Sequence, residues 1–301
     1  MTLATAVLEY RALLHDAAQL DLAGWRVLRL VGPDARDFLQ GMATQDMAAA
    51  GPGRAAETLF LTEKGRPLAL AWVAVESSGA EAWVVADAAS SDALRPHFER
   101  FRIMEDVEFE ESGAAGHVIG VAGPTRAARL AGIAAGVAGS RALEGEPLSF
   151  LLVPRQSAEP VECISPEAAE AWRLAVGLPR AGVDFTQERL ATELDLPGAI
   201  CFTKGCYVGQ EVVARTSNRG QVRRRRVGFR FAWPGAAPAS GTPLLSGGSA
   251  AGFLTSAVRE PGSDDALAMG YLATEIDPPG AVVLAIPDGA PLPIRVAPWP
   301  L

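Results

Sequence analysis

The chain has 301 residues, 49% hydrophobic and 21% charged, and its 27 basic against 35 acidic side chains give a formal charge of −8. That composition excludes a disordered chain, and at roughly 100–200 residues per domain it predicts two or three domains with a sizeable core. Net acidity argues against a non-specific nucleic-acid binder, which needs a positive footprint to displace counterions. The longest apolar run, residues 68–75, is far short of the ~20 residues of a membrane helix, so no membrane span is expected. Arg11 and Asp16 break the N-terminal apolar stretch where a secretory peptide needs continuity, and three cysteines form a sparse, odd set that suits a reducing compartment. These features place the protein in the cytoplasm, with free thiols.

In chain order, WRVLRLV reads as a strand ending at Gly32, and Pro33 opens a helix that puts Phe38 and Leu39 on one face. Residues 58–62, 68–76 and 81–86, separated by a Glu63-Lys64-Gly65-Arg66 turn and a Ser77-Ser78-Gly79 turn, predict an antiparallel meander. Ser90 and Ser91 are candidate caps for a helix running to Ile103. Strands follow at 107–111 and 117–121, and Pro124 at a first helical position opens a helix through Leu130. A strand at 149–153, a helix at 166–176 and a strand at 199–203 come next. From Val222 onward, short period-two strands broken at 233–248, 261–265 and 278–280 predict a small barrel or sandwich. The whole is α+β, and no internal repeat of useful length is evident.

The densest chemistry lies in Lys204-Gly205-Cys206-Tyr207-Val208-Gly209-Gln210-Glu211-Val212-Val213-Ala214-Arg215, at an expected strand-to-helix corner. Gly205 and Gly209 would let backbone amides approach a ligand. Lys204 and a helix N-terminus would lower the thiol pKa of Cys206. The plainer reading is a packed turn whose cysteine is a small hydrophobe. His15, His97 and His117 lack metal-ligand or triad spacing, and Cys201 with Cys206 falls short of a four-ligand cluster site, so no metal is expected.

KGCYVGQE resembles the K-G-C-[FY]-x-G-Q-E motif of the YgfZ family of folate-binding proteins involved in iron-sulfur cluster assembly, relatives of the glycine-cleavage T protein. All fixed positions are present. The segment from Gly32 through Phe38-Leu39-Gln40-Gly41 to Thr44-Gln45-Asp46 looks like the same family's early G-x-D-x-x-x-F-L-Q-G-x-x-T-x-D stretch, and the resemblance covers essentially the whole chain. It implies a T-protein-like folate-binding body of antiparallel sheets and helices (residues 1–147 and 148–221, the second part carrying KGCYVGQE) and a C-terminal β-barrel at 222–301. It further implies tetrahydrofolate or a one-carbon derivative as cofactor, with iron-sulfur client enzymes or assembly proteins as partners.

Carried over residue by residue, Lys204, Cys206, Tyr207, Gln210, Glu211 and Arg215 line or support the folate site, with Cys206 as the candidate reacting group. Glu193 is a candidate anchor for adjacent pterin N–H donors, or a surface glutamate; Arg173 steers the glutamate tail, or is a solvated helix residue. Tyr207 offers a ring face to a flat ligand, or is a buried tyrosine. The T protein's paired aspartates, which support aminomethyl transfer, are matched by Ala69 and Leu70, which cannot ionise. That departure favours a tetrahydrofolate-binding factor for assembly or repair of iron-sulfur enzymes over an aminomethyltransferase or demethylase. A non-catalytic scaffold stays open beside both. The basic run Arg215, Arg219, Arg223, Arg224, Arg225, Arg226 and Arg230 could attract a polyglutamylated folate tail or RNA; a solvated edge strand is the favoured reading.

Overall fold

The computed structural model describes residues 3–22, 24–111, 115–154, 162–218, 222–233, 235–276, 281–284 and 292–301. The expected turn at 278–280 and Arg219 lie outside them. Helix α1 (Leu3–His15) leads into β1 (Ala18–Asp21) and β2 (Trp25–Val31), then α2 (Ala35–Met42). The meander is β3 (Ala56–Leu61), β4 (Pro67–Val75) and β5 (Glu81–Asp87), followed by α3 (Ala88–Phe101) and β6 (Glu108–Glu111). A second unit holds β7 (Ala115–Ala122), α4 (Arg126–Gly136), β8 (Arg141–Leu143), β9 (Leu148–Pro154) and α5 (Pro166–Ala175). A 3-10 turn (Ala191–Leu194) and α6 (Gln210–Asn218) precede six barrel strands: β10 (Arg224–Ala232), β11 (Pro243–Ser246), β12 (Ser249–Arg259), β13 (Asp265–Ala273), β14 (Ala281–Leu284) and β15 (Leu292–Ala297).

The strands form a five-stranded sheet ordered β3-β4-β5-β2-β6, a four-stranded sheet ordered β1-β7-β9-β8, and a closed barrel ordered β10-β13-β12-β11-β14-β15. Every strand pair is antiparallel, as the α+β reading requires. Strand β9 pairs with β7 and β8, so the two parts of the body share a sheet. The unbroken apolar run PLALAWVAV of β4 is explained by cover on both faces. Leu70, Trp72 and Ala74 face a core shared with α5 and Tyr207, while Ala69, Ala71 and Val73 face Phe38, Leu39 and Phe98 of α2 and α3.

Several local expectations are corrected. Asp87, not Ser90 or Ser91, caps α3, its carboxylate accepting the Ser90 N–H at 2.8 Å. Pro33 and Pro124 precede rather than open α2 and α4, which start at Ala35 and Arg126, and α4 runs to Gly136. Residues 199–203 make no strand: Thr44 holds them, its hydroxyl donating to the Ala199 carbonyl and its own carbonyl accepting the Cys201 N–H. Strand β10 is not an edge, because β13 and β15 flank it in the closed barrel. A structural repeat also exists: β2-Gly32-Pro33-α2 and β7-Gly123-Pro124-α4 are the same strand, Gly-Pro, helix unit. The expected helix at 166–176 and strand at 149–153 are present as α5 and β9.

Candidate functional site

Helix α2 ends at Met42, leaving carbonyls without intrahelical partners, and a cation is favoured there. Lys204, distant in sequence, supplies it. Its Nζ donates to the carbonyls of Gln40 (2.7 Å), Ala43 (2.7 Å) and Gln45 (3.0 Å). Burial pulls the Lys204 pKa down to about 8, and the three acceptors hold a proton there at neutral pH. The ammonium is thus committed to main-chain carbonyls, and α6 begins only at Gln210, so neither influence expected on Cys206 is directed at it. The Cys206 side chain is exposed. The thiol that gains a local hydrogen-bonding environment is Cys201, weighed from the sequence only as a cluster ligand: the Thr203 hydroxyl and N–H hold its pKa below the usual thiol value.

The other motif residues divide between packing and surface. Tyr207 is buried in the main core with its ring centroid 5.3 Å from Lys204 Nζ, and burial raises its pKa to about 12. Gly209 serves a protein contact, since a Cβ there would lie 2.6 Å from the Thr62 carbonyl oxygen of the β3–β4 turn. Gly205 faces open space. Gln210 is the first residue of α6, and Glu211 and Arg215 form an exposed pair one turn apart at 2.5 Å.

Arg173 is neither solvated nor free to steer a ligand. Only 8% exposed, it donates to Asp184 Oδ2 (2.6 Å), the Leu178 carbonyl (2.7 Å) and both oxygens of Glu170 (2.6 and 2.9 Å). Asp184 in turn accepts the hydroxyls of Thr255 and Ser256 on β12, both at 2.6 Å, so this network ties α5 to the barrel. Glu193 is not a surface glutamate: it is buried, and its Oε2 accepts the Leu190 N–H at 3.0 Å.

A cavity of about 430 Å³ opens between the inner face of β4 and α5, walled by Trp25, Leu70, Trp72, Trp172 and Leu178, with Arg173 and Asp21 among its polar groups. The Trp25 and Trp72 rings lie 5.6 Å apart. Of the residues singled out from the sequence, Arg173 and Leu70 reach this wall; Lys204, Cys206, Tyr207, Gln210, Glu211, Arg215 and Glu193 do not. One carboxylate escaped sequence reasoning. Glu57 sits opposite Trp72 in the β3–β4 register, and burial pushes its pKa up to about 7 against the pull of Arg226. Its Oε2 lies against Gly198, where a Cβ would come within 3.3 Å.

Residues 3–144 match the GCVT N-terminal domain, and residues 224–301 match the glycine cleavage T-protein C-terminal barrel domain. The chain belongs to the glycine-cleavage T-protein family. Among curated relatives, it is 27% identical over 264 residues to the iron-sulfur cluster assembly factor IBA57, mitochondrial, of Mus musculus, covering 77% of this chain and 72% of that protein. It is 28% identical over 245 residues to the IBA57 homolog of Chaetomium globosum, but there it spans only 56% of the relative's length. The aminomethyltransferase of Rubrobacter xylanophilus is 27% identical, covering 97% of this chain and 85% of that one. The solved aminomethyltransferase T of Bartonella henselae superposes with a TM-score of 0.83 over 98% of this chain and 89% of that chain at 19% identity, which shows the T-protein fold.

The cytoplasmic expectation is corrected by these relatives, because the IBA57 proteins of mouse and human are named mitochondrial. A broken apolar run argues against secretion alone and does not distinguish cytoplasm from organelle. Among the described residues, no helix is long and apolar enough to cross a membrane.

Proposed function

We propose that this T-protein family member is a tetrahydrofolate-binding factor in the assembly or repair of iron-sulfur proteins. The observation that carries the reading is the cavity beneath β4. A pteridine is flat, apolar on its faces and polar at its edges, and the cavity offers tryptophan walls with charged groups at its margin in a volume suited to a small ligand. Trp25, Leu70, Trp72 and Trp172 would hold the ring system, and Asp21 would accept from its N–H edge. Bound folate would supply a one-carbon or redox equivalent.

Within this reading Lys204 and Tyr207 support the site from behind, while Gln210, Glu211 and Arg215 lie on α6 away from it. Lys204 pins the end of α2, and Tyr207 packs in the same core as Leu70 and Trp72. Arg173 and Glu193 act as positioning residues, the first holding α5 against the barrel and the second fixing the 3-10 turn. The exposed Cys206 thiol suits contact with a client protein rather than with a ligand beneath β4. The compartment implied is that of the mitochondrial relatives.

Calorimetry with 5-formyltetrahydrofolate tests the proposal. Wild type and Cys206→Ala are expected to bind equally and Trp172→Ala markedly less, while both variants are expected to lose client activity, Cys206→Ala without loss of folate binding. Absence of binding by wild type would leave a scaffold. An aminomethyltransferase has support in the Rubrobacter relative, but the cavity wall presents Leu70 where an ionisable group is needed. Folate-dependent ammonia release from an aminomethyl-lipoyl carrier would establish that activity.

A further inference from the structure

Away from the folate cavity, a cleft of about 410 Å³ lies where the β3–β4 turn, the segment before the 3-10 turn and the start of β10 meet. Its walls carry Arg66, Arg189, Arg223 and Arg224, opposed by only Glu188 and Glu193. Many of the described arginines of this acidic chain are paired, among them Arg29 with Glu81, Arg126 with Glu146, Arg230 with Glu260 and Arg259 with Asp264. Among the described residues, none of the four cleft guanidiniums has a carboxylate within ion-pair distance. A concentration of unpaired positive charge in a molecule of net charge −8 requires a compensating anion or water.

Three of the four are held in place by neutral groups. Arg66 Nη1 donates to the Glu188 main-chain carbonyl at 2.5 Å. The Arg189 guanidinium lies 4.6 Å from the centroid of Tyr271 and 5.1 Å from that of Phe253, and Arg224 lies 5.8 Å from Phe253. Carbonyl and ring contacts fix a guanidinium without neutralising it, so the donors are ordered before a ligand arrives. A planar guanidinium matches a carboxylate or a phosphate through two parallel hydrogen bonds.

We propose that this cleft binds a small polyanion, a ligand carrying two or more closely spaced carboxylates or phosphates. The proposal does not depend on the folate reading. A long RNA is disfavoured by the limited volume, the two glutamates within the cleft and the overall acidity, since nucleic acid needs an extended positive stripe.

Titration calorimetry of the full chain with tripolyphosphate in one arm and penta-γ-glutamate in the other distinguishes the two sources of charge. The expected result is one ligand per chain in at least one arm, weakening steeply with added salt. Combining Arg66→Gln with Arg223→Gln is expected to weaken binding by about tenfold or more, as for the loss of a charge-assisted hydrogen bond. Arg223→Glu, at an exposed side chain, serves as a second variant should the double one unfold. Arg259→Gln changes net charge elsewhere and should bind as wild type does. No heat in either arm overturns the proposal, as do binding indifferent to the cleft variants, equal loss in Arg259→Gln, or binding of single-stranded RNA alone.

Discussion

The Lys204 ammonium lies among three main-chain carbonyls rather than beside a thiol, which makes it a helix cap delivered across more than 150 residues of sequence. The motif around it was legible as a glycine-bearing corner, but the direction of a lysine side chain depends on which carbonyls lie orphaned nearby, and no local spacing encodes that. Glu57 was illegible for a related reason: its raised pKa arises from burial in the fold, and a residue beside its carboxylate, Gly198, is 141 positions away. It also yields a test. The unfolded carboxyl titrates near 4.5 and the folded one near 7, so the native state binds the proton more tightly between these values. The associated stability is fully present below pH 4.5, falls as pH rises through 7, and is absent above it. Glu57→Gln should remove this dependence and raise stability at pH 8 by about 2–3 kcal/mol. Denaturant titrations at pH 5.5 and pH 8 measure it, and an unchanged pH slope in the variant would count against the assignment.

At the scale of elements, the sequence patterns of β2, β4, β5, α2 and α5 carried their own periodicity and capping signals, and the structure places them within a few residues of the reading. Helix α1 was readable as well, since Ala6, Tyr10 and Leu13 are its buried stripe, but the N-terminus was weighed only for a leader. Strand β8, three residues long, has too few positions for any period to show. The repeated strand, Gly-Pro, helix unit was hidden because its two copies share few residues beyond Gly-Pro, while the backbone demand is common. Gly32 (φ +145°) would place a Cβ 2.1 Å from the Asp106 carbonyl oxygen, and Gly123 (φ +105°) one 2.3 Å from that of Asp16. Gly123→Ala should therefore destabilise by roughly 2–3 kcal/mol, combining an unfavourable φ with a backbone clash. Gly132→Ala, in the middle of α4 with open space around it, should stabilise by roughly 0.5–1 kcal/mol. Thermal melts of the two variants check the opposite signs.

At the scale of the molecule, the barrel was legible from period-two strands and turn residues, whereas its attachment to the body was not. Consecutive arginines alternate sides on a strand, and in the closed barrel one of them points into the joint. Arg226, 2% exposed, donates to the carbonyls of Gly177 (2.5 Å), Leu194 (2.6 Å) and Asp195 (3.3 Å), and its guanidinium lies 4.2 Å from the Trp299 ring centroid. It lacks a hydrogen-bonded carboxylate, and burial lowers its pKa to about 10, so neutral acceptors from both the body and the 3-10 turn hold it. Arg226→Leu would leave those carbonyls buried without donors and should cost about 3 kcal/mol or more. The Asp184 bonds to Thr255 and Ser256 would remain, as would the Trp299 indole bond to the Leu174 carbonyl, so the barrel should loosen rather than detach. Scanning calorimetry of wild type should give one cooperative transition, and the variant an earlier, broader one. An unshifted single transition in Arg226→Leu would mean that apolar contact alone joins barrel to body.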